Sequence, residues 1–379
     1  IRLEDGRSIE VNMPPGMGWV RPRPEPLRHA MPDAARRWIE PLAIVEGEAA
    51  AAALADGTGL PFLGGPAATL TVRLIEADGA PPGTCPATAI PPGWRDLLPP
   101  LIGAPPPWTG LVPRLGPGAP LLMGIVNLAP DSFSGDGLSA EAAIARGRAM
   151  IAAGADILDI GGESTRPGAA PVPPEEECRR ILPAIRALAP LAPVSVDTRN
   201  AATMAAALAA GARIVNDVSA LRHDPGAARV VAAAGVPVAL MHMRGDDPRT
   251  MQDHPRYADV ALEVAGHLAG RVAAAEAAGI PRRCIALDPG IGFGKTVEHN
   301  LALLRRLPLL AGLGCPILVG ASRKGFIGRL SGEAEAGRRV PGSLATALLA
   351  AMRGAAILRV HHVAETAQAL RVWRAAAQG

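Results

Sequence analysis

Polar side chains recur in this 379-residue chain at the ends of short apolar runs, where carboxylates, amides and cations could gather around one cavity. They are Asn127, Asp197, Asn216, Asp288, Lys324, Arg359 and His361. Buried carboxylates need hydrogen-bond donors, and a buried ammonium group needs acceptors. A flat heterocycle with an amidine-like edge would satisfy the carboxylates, and Lys324 could bind its carbonyl oxygen. These residue types indicate a site for a small polar ring.

A second group of residues has the chemistry of an anion site. Arg359 and His361 end the last apolar run, and Asn127 ends the first one of the regular part of the chain, in the stretch LMGIVNLAPDSFSGDGL. Arginine offers a planar fork of donors to phosphate, and an amide oxygen is a hard ligand for a divalent cation. We therefore predict a corner that holds phosphate or pyrophosphate together with a divalent ion.

The elements that must position these residues follow a regular order. Apolar strand candidates begin near residues 121, 157, 194, 213, 237, 284, 316 and 356, with Ala-rich helical runs between them. Eight strand-helix units in a segment close to the roughly 250 residues of a TIM barrel predict an α/β protein with a (β/α)8 barrel. In that fold all strands end at one mouth, so residues distant in sequence become neighbours.

An open, doubly wound sheet is the competing architecture. It is disfavoured because no strand candidate is followed by the G-x-G-x-x-G fingerprint of dinucleotide-binding sheets with an acidic residue at the next strand end.

The beginning of the chain has a different character. Pro and Gly recur in stretches such as PPGMGWVRPRPEP and PPGTCPATAIPPGW, which break up regular elements. We predict an N-terminal extension over residues 1–117, with a Pro-rich connector from about Pro99 to Pro120, and a barrel over residues 118–379. A helix near Ile44–Ala55 and a strand near Ala68–Ile75 are expected in the extension. It shows no catalytic chemistry, so we expect a packing or docking role.

Composition narrows the functional classes. The net charge is only +3 and is spread along the chain, which argues against a nucleic-acid partner. No uninterrupted apolar run is long enough to span a membrane. The four cysteines lie far apart without a C-x-x-C pair, which predicts reduced, mostly buried thiols and a cytoplasmic protein.

Ordered motifs at the strand ends resemble those of a known family. MGIVNLAPDSFS, DIGGESTRPGA, SVDT, IVND, LMHM, LDPGIGFGK, GASRK and GSLATALLAAMRGAAILRVH occur in this order from about Leu121 onward. They are similar to the motifs of dihydropteroate synthase. That family joins 6-hydroxymethyl-7,8-dihydropterin pyrophosphate to p-aminobenzoate with Mg2+ present, giving 7,8-dihydropteroate and pyrophosphate, and its members are often homodimers.

The resemblance implies a role for each site residue. Asp288 would accept hydrogen bonds from the pterin 2-amino and ring N–H edge, Asn216 and Asp197 would hold the opposite ring nitrogens, and Lys324 would reach the carbonyl side. Met241 and Phe293 would pack near the ring, Asn127 would help to hold Mg2+, and Arg359 and His361 would bind the departing phosphates. Thr165, Arg166 and Pro167, with Phe133 from the first loop, would close over p-aminobenzoate and pyrophosphate. Asp197, Lys324, Arg359 and His361 would be the catalytic residues.

The chain departs from the family pattern at three places. Ala129 replaces a threonine, Gly135-Asp136 is swapped relative to the usual Asp-Gly, and His362 stands where an aspartate usually follows the histidine of the last strand. Two alternatives to an active synthase therefore stay open. One is a diverged pterin-binding paralogue without turnover, and the other is a methyltetrahydrofolate:corrinoid methyltransferase, against which Lys324 and the E-S-T-R-P-G loop argue.

Overall fold

The computed structural model describes residues 37–76, 82–116, 118–128, 139–163, 171–245 and 255–378. The strands are β1 Arg37–Val45, β2 Leu60–Pro61, β3 Ala68–Glu76, β4 Gly83–Pro86, β5 Leu121–Asn127, β6 Ile157–Gly161, β7 Val194–Asp197, β8 Ile214–Asp217, β9 Val238–Met241, β10 Ile285–Asp288, β11 Ile317–Val319 and β12 Ala355–Val360. The helices are α1 Gly47–Ala55, α2 Pro99–Ile102, α3 Ala140–Ala153, α4 Pro174–Leu188, α5 Ala201–Ala209, α6 Ala227–Ala234, α7 Val260–Ala277, α8 Val297–Arg305, α9 Gly325–Ser331, α10 Val340–Met352 and α11 Val363–Gln378.

Strands β5 to β12 close into a parallel barrel in chain order, with β12 paired to β5. The predicted TIM barrel is thus confirmed, and each strand begins within about one residue of its predicted position. Helix caps explain this regularity. Ser139 caps the start of α3 by accepting from Ala142 N–H, and Gly154 ends α3 with φ of 106° before the chain enters β6. A left-handed glycine at a helix end turns the chain at little steric cost.

The N-terminal segment forms a small antiparallel sheet in which β3 pairs with β1 on one edge and with β2 and β4 on the other. The predicted strand near Ala68–Ile75 is confirmed. The predicted helix near Ile44 is wrong at its start, because Ile44 and Val45 end β1 and α1 begins only at Gly47. Strand β1 escaped sequence analysis because it contains Pro41, which sits beside an irregularity of the β1–β3 register where a missing N–H is tolerated.

The sheet is joined to the barrel by a buried ion-pair network. Glu40 of β1 is almost fully buried and accepts hydrogen bonds from Arg306, which follows α8, at 2.6 and 3.0 Å. Arg306 also donates to Asp259, the residue that caps the start of α7. Arg73 of β3 adds a second cation beside Glu40 at 3.3 Å. Burying Glu40 is tolerable because two guanidinium groups compensate its charge.

The connector closes the end of the barrel at which the strands begin. Trp108 is buried among inward-facing strand residues that include Ile157, Ile214 and Ile357. Its indole N–H donates to the carbonyls of Val238 and Cys284, at 3.3 and 3.0 Å. The ring fills the interior, and its one donor satisfies backbone acceptors, as a buried tryptophan requires.

The sequence also predicts the state of the cysteines and the lack of a membrane span. All four cysteines are unpaired thiols, but only Cys315 is buried. The expectation of mostly buried thiols is therefore wrong, because Cys85 lies in the short outer strand β4, Cys178 lies on α4, and Cys284 lies in the turn before β10. In the described ranges, no helix has both the length and the apolar character needed to cross a membrane.

Replacing Trp108 by alanine should destabilise the whole protein, because it leaves a cavity in the barrel and two unsatisfied carbonyls. We expect a loss of about 3–5 kcal/mol in the free energy of unfolding, measured by urea denaturation. The control is Trp94→Ala in the N-terminal region, where the ring is only half-buried. Equal losses in the two variants would show that Trp108 does not close the barrel.

Candidate active site

The strand register brings the ends of β5 to β8 to one level at the mouth of the barrel. Asn127 lies opposite Gly161, Gly161 opposite Asp197, and Asp197 opposite Asn216. On the far side, Asp288 lies opposite Met241. Gly161 makes room for this arrangement, since a Cβ there would stand 3.3 Å from the Cβ of Asp197. The ends of six strands thus lie at one mouth.

Arg359 of β12 reaches past β5 inside the barrel and is shared by two carboxylates. Its Nε donates to Asp159 Oδ2 and its Nη2 donates to Asp197 Oδ2, each at 2.6 Å. Asp159, in the middle of β6, is fully buried. Asp159 was not among the predicted site residues because it precedes the strand end. The available signal was a charged residue inside the buried run ILDIG, which demands a cationic partner.

The pKa of Asp197 reflects both its burial and its charged neighbours. Burial raises the pKa of Asp197 to about 7, against the opposing charge of Arg359 and with the added repulsion of Asp159. Burial by itself would lower the pKa of Arg359, but Asp159 and Asp197 raise it above its ordinary value. Asp197 does not cap α5, which follows Asn200. It is held in the site by the guanidinium instead.

Asp288 and Lys324 form the opposite wall of the mouth. Asp288 Oδ1 accepts from Gly290 N–H at 2.7 Å, and in the described part of the chain no hydrogen bond ends on its other oxygen. Burial raises the pKa of Asp288, partly offset by that hydrogen bond and by Lys324. Burial and the charge of Arg359 lower the pKa of Lys324 to about 8, although Asp288 and Asp197 oppose this. The two charged groups therefore lie close enough to influence each other.

The two residues predicted to pack near the pterin ring lie next to Asp288 and Lys324. Phe293 and Met241 are buried in one small apolar cluster together with Val218 and Met243. The ammonium of Lys324 lies 3.9 Å from the centroid of the Phe293 ring, which is a cation–π distance. The site thus combines an apolar face with a polar edge, which suits a flat heteroaromatic ligand.

A buried lysine holds the glycine-rich loop after β10. Lys295 Nζ lies 2.9 Å from His242 Nδ1 and donates to Phe293 O at 2.9 Å. Burial lowers the pKa of Lys295 to about 7, partly against the charge of Asp288. Gly290, with φ of 67°, is required in this loop because a Cβ would stand 1.9 Å from His242 O. The sequence did not single out Lys295, which acts here as a support for Phe293.

His361 stands just beyond β12, with its Nδ1 lying 3.0 Å from Ser322 Oγ. Burial and the nearby charges of Arg323 and Arg359 lower the pKa of His361 well below its ordinary range, so the ring is neutral at pH 7. Its neighbour His362 accepts from Arg323 Nε at 2.8 Å. The histidine that departs from the family pattern therefore still has an arginine as its partner.

The remaining predicted residues are only partly placed. Asn127 ends β5 and its side chain is half-buried at the mouth. Phe133, Thr165, Arg166 and Pro167 lie outside the described residues, as do Ala129 and the swapped Gly135-Asp136. Within the described ranges no group of three or more His, Cys, Asp or Glu side chains could hold a metal ion.

Replacing Arg359 by leucine should leave two buried carboxylates without their shared cation. We expect a loss of about 3–5 kcal/mol in unfolding free energy at pH 8.5, measured by urea denaturation. The loss should be smaller at pH 5.5. The buried carboxyl of Asp197 has a raised pKa, so at this pH it is protonated and needs no cation. The stability contributed by such a group disappears as the pH rises through its pKa. Arg282→Leu, which breaks an exposed pair with Glu276, is the control and should cost little at either pH.

Comparison with known proteins agrees with this geometry. The sequence matches the pterin binding enzyme family over residues 123–361. It is 52% identical over 265 residues to dihydropteroate synthase of Neisseria meningitidis serogroup B, covering 68% of this chain and 92% of that protein. The structure of Xanthomonas albilineans dihydropteroate synthase with 4-aminobenzoic acid aligns with a TM-score of 0.64 at 53% identity, over 68% of this chain and 93% of that one. The structure of the same enzyme with 7,8-dihydropteroate aligns with a TM-score of 0.61 at 50% identity, over 68% of this chain and 94% of that one. The chain belongs to the dihydropteroate synthase family of pterin-binding transferases.

Proposed function

We propose that this protein joins 6-hydroxymethyl-7,8-dihydropterin pyrophosphate to p-aminobenzoate, forming 7,8-dihydropteroate and pyrophosphate in folate biosynthesis. The observation that carries the proposal is the proximity of Asp288 and Lys324 at the barrel mouth, where the charge of each shifts the pKa of the other. The open oxygen of Asp288 can accept from the amino and N–H groups of a pterin edge, and Lys324 can donate to the adjacent carbonyl. Asn216 and Asp197 face the other edge of the same ring.

The reaction breaks a C–O bond to pyrophosphate and forms a C–N bond to the arylamine, which then loses a proton. The pterin ring can donate electrons to its exocyclic carbon as pyrophosphate leaves, so the protein mainly has to stabilise charge. In this proposal Asp197 lies near the developing positive charge. His361, neutral in the free protein, can donate one hydrogen bond to the leaving group, and Arg359 can contribute its positive charge.

Mg2+ remains a proposal that rests on the donor set. Magnesium is often held by one or two protein oxygens together with substrate phosphates, and a single amide oxygen from Asn127 fits that pattern. When bound, the ion would neutralise charge on the departing pyrophosphate. This chain would contribute one oxygen ligand, and the rest of the coordination would come from substrate and water.

A cleft of about 490 Å3 next to Lys324 offers a place for the second substrate. Its lining includes the apolar side chains of Val297 and Phe326 and the cationic side chain of Arg329. A flat arylamine with a carboxylate matches such a lining. We also retain Phe133, Thr165, Arg166 and Pro167 as predicted contacts to p-aminobenzoate and pyrophosphate.

Further predictions from the sequence stay predictions. They are a homodimer, a cytoplasmic location, the absence of nucleic-acid and membrane partners, and the division at residue 117 between extension and barrel. The contacts of Glu40 and Trp108 support a packing role for the extension.

The activity is tested by incubating the protein with both substrates and Mg2+ and measuring dihydropteroate and pyrophosphate. Asp288→Asn should lower kcat/KM on the order of 100-fold, because an amide N–H would face the donors of the pterin edge. Asp224→Asn is the matched control, because this carboxylate in the loop after β8 accepts from the backbone N–H groups of Ala201 and Gly226. Pterin binding without turnover in the unmodified protein would instead favour the diverged paralogue.

Asn127→Ala should raise the Mg2+ concentration needed for half-maximal turnover, because one oxygen ligand is lost while the substrate phosphates still bind the ion. Titrating Mg2+ at saturating substrates measures this. An unchanged Mg2+ requirement, with kcat also unchanged, would remove Asn127 from the metal site.

A further inference from the structure

Asp159 is a buried carboxylate that approaches the ligand only through other residues. Its Oδ2 accepts from Asn216 Nδ2 at 3.1 Å and from Arg359 Nε at 2.6 Å. Its Oδ1 is buried and meets no donor in the described part of the chain. Arginine has only donors, so its bond to Asp159 fixes the carboxylate as an acceptor in this place.

The hydrogen bond between Asn216 and Asp159 determines the orientation of the Asn216 amide. The NH2 group faces Asp159, and the amide oxygen faces away from it. If the amide were flipped, its oxygen would lie about 3 Å from the Asp159 carboxylate, and two acceptors would face each other. In the observed orientation the NH2 group donates a hydrogen bond to that carboxylate. Leaving such buried groups unmatched disfavours the flipped amide by a factor of roughly 5 to 150. Asn216 is therefore left with its oxygen as the group it can offer a ligand, and no described residue donates to that oxygen.

We propose that Asp159 is a positioning residue that holds Asn216 with its oxygen toward the ligand, so that the site selects the reduced pterin ring. The inference rests on the proposed function and refines it. In 7,8-dihydropterin, nitrogen 8 carries a hydrogen that the amide oxygen can accept. In fully oxidised pterin the same nitrogen carries a lone pair, which would face that oxygen without a hydrogen between them.

The test compares the dissociation constants of 7,8-dihydropterin and oxidised pterin, measured anaerobically by titration calorimetry on the full chain. The unmodified protein should bind the reduced ring at least about ten-fold more tightly than the oxidised ring, because the oxidised ring leaves a buried acceptor without a donor. Asp159→Ala removes the acceptor that orients the amide, and the preference should fall to within about three-fold.

Two further variants separate positioning from charge balance. Asp159→Asn keeps an oxygen that can accept from Asn216 but removes the charge beside Arg359, so it should retain most of the preference. Asp156→Ala is the matched control. Asp156 is a buried carboxylate just before β6 that accepts from the backbone of Leu122 and Arg114, and its loss should leave the preference intact.

Several outcomes would overturn the inference while leaving the proposed function standing. They are binding of the reduced ring without preference, full preference in Asp159→Ala, or equal loss in Asp159→Ala and Asp159→Asn. If Asp159→Ala does not fold, Asn216→Leu decides the matter, because the preference must then disappear with the amide. If the unmodified protein binds neither ring, the proposed function fails, and this inference fails with it.

Discussion

The sharing of Arg359 between Asp159 and Asp197 is the interaction on which the rest of the site depends. Three charged groups meet inside the barrel, and each would be costly to bury alone. In the barrel order β12 is separated from β6 by β5, so the ion pairs also connect strands that are not hydrogen-bonded neighbours. Asn216 is attached to the same group through Asp159.

This arrangement gives the mouth two different halves. One half is organised by Arg359 and presents the carboxylate of Asp197 and the amide of Asn216, each of which is already hydrogen-bonded on one side. The other half contains Asp288, Lys324 and Phe293, supported by the buried ammonium of Lys295. A planar ring between the halves would meet preset polar groups on both edges. Preorganised groups of this kind lower the cost of ordering side chains when a ligand binds.

Much of this could be predicted from the sequence, and the reasons for the rest are physical. Strand starts were predictable because glycines such as Gly154 end helices just before buried runs. Asp288 was predictable because it ends a strand, and Lys324 because it lies in the loop that follows β11, on the face where barrels place their chemistry. Asp159 was missed because it lies within a strand, and its importance depends on a side chain reaching across from β12. Likewise β1 was missed because Pro41 reads as a break in a strand, although the sheet tolerates it at an irregular position.

The connector that carries Trp108 has a consequence for how the protein can be divided. A recombinant fragment starting at residue 118 would have about the length that aligns with the relatives, yet it would lack the indole that satisfies Val238 and Cys284. Such a fragment would expose an opening at its base to solvent. The Pro-rich connector is thus an internal part of the barrel's hydrophobic packing. An expression boundary drawn by homology alone would separate this connector from the barrel.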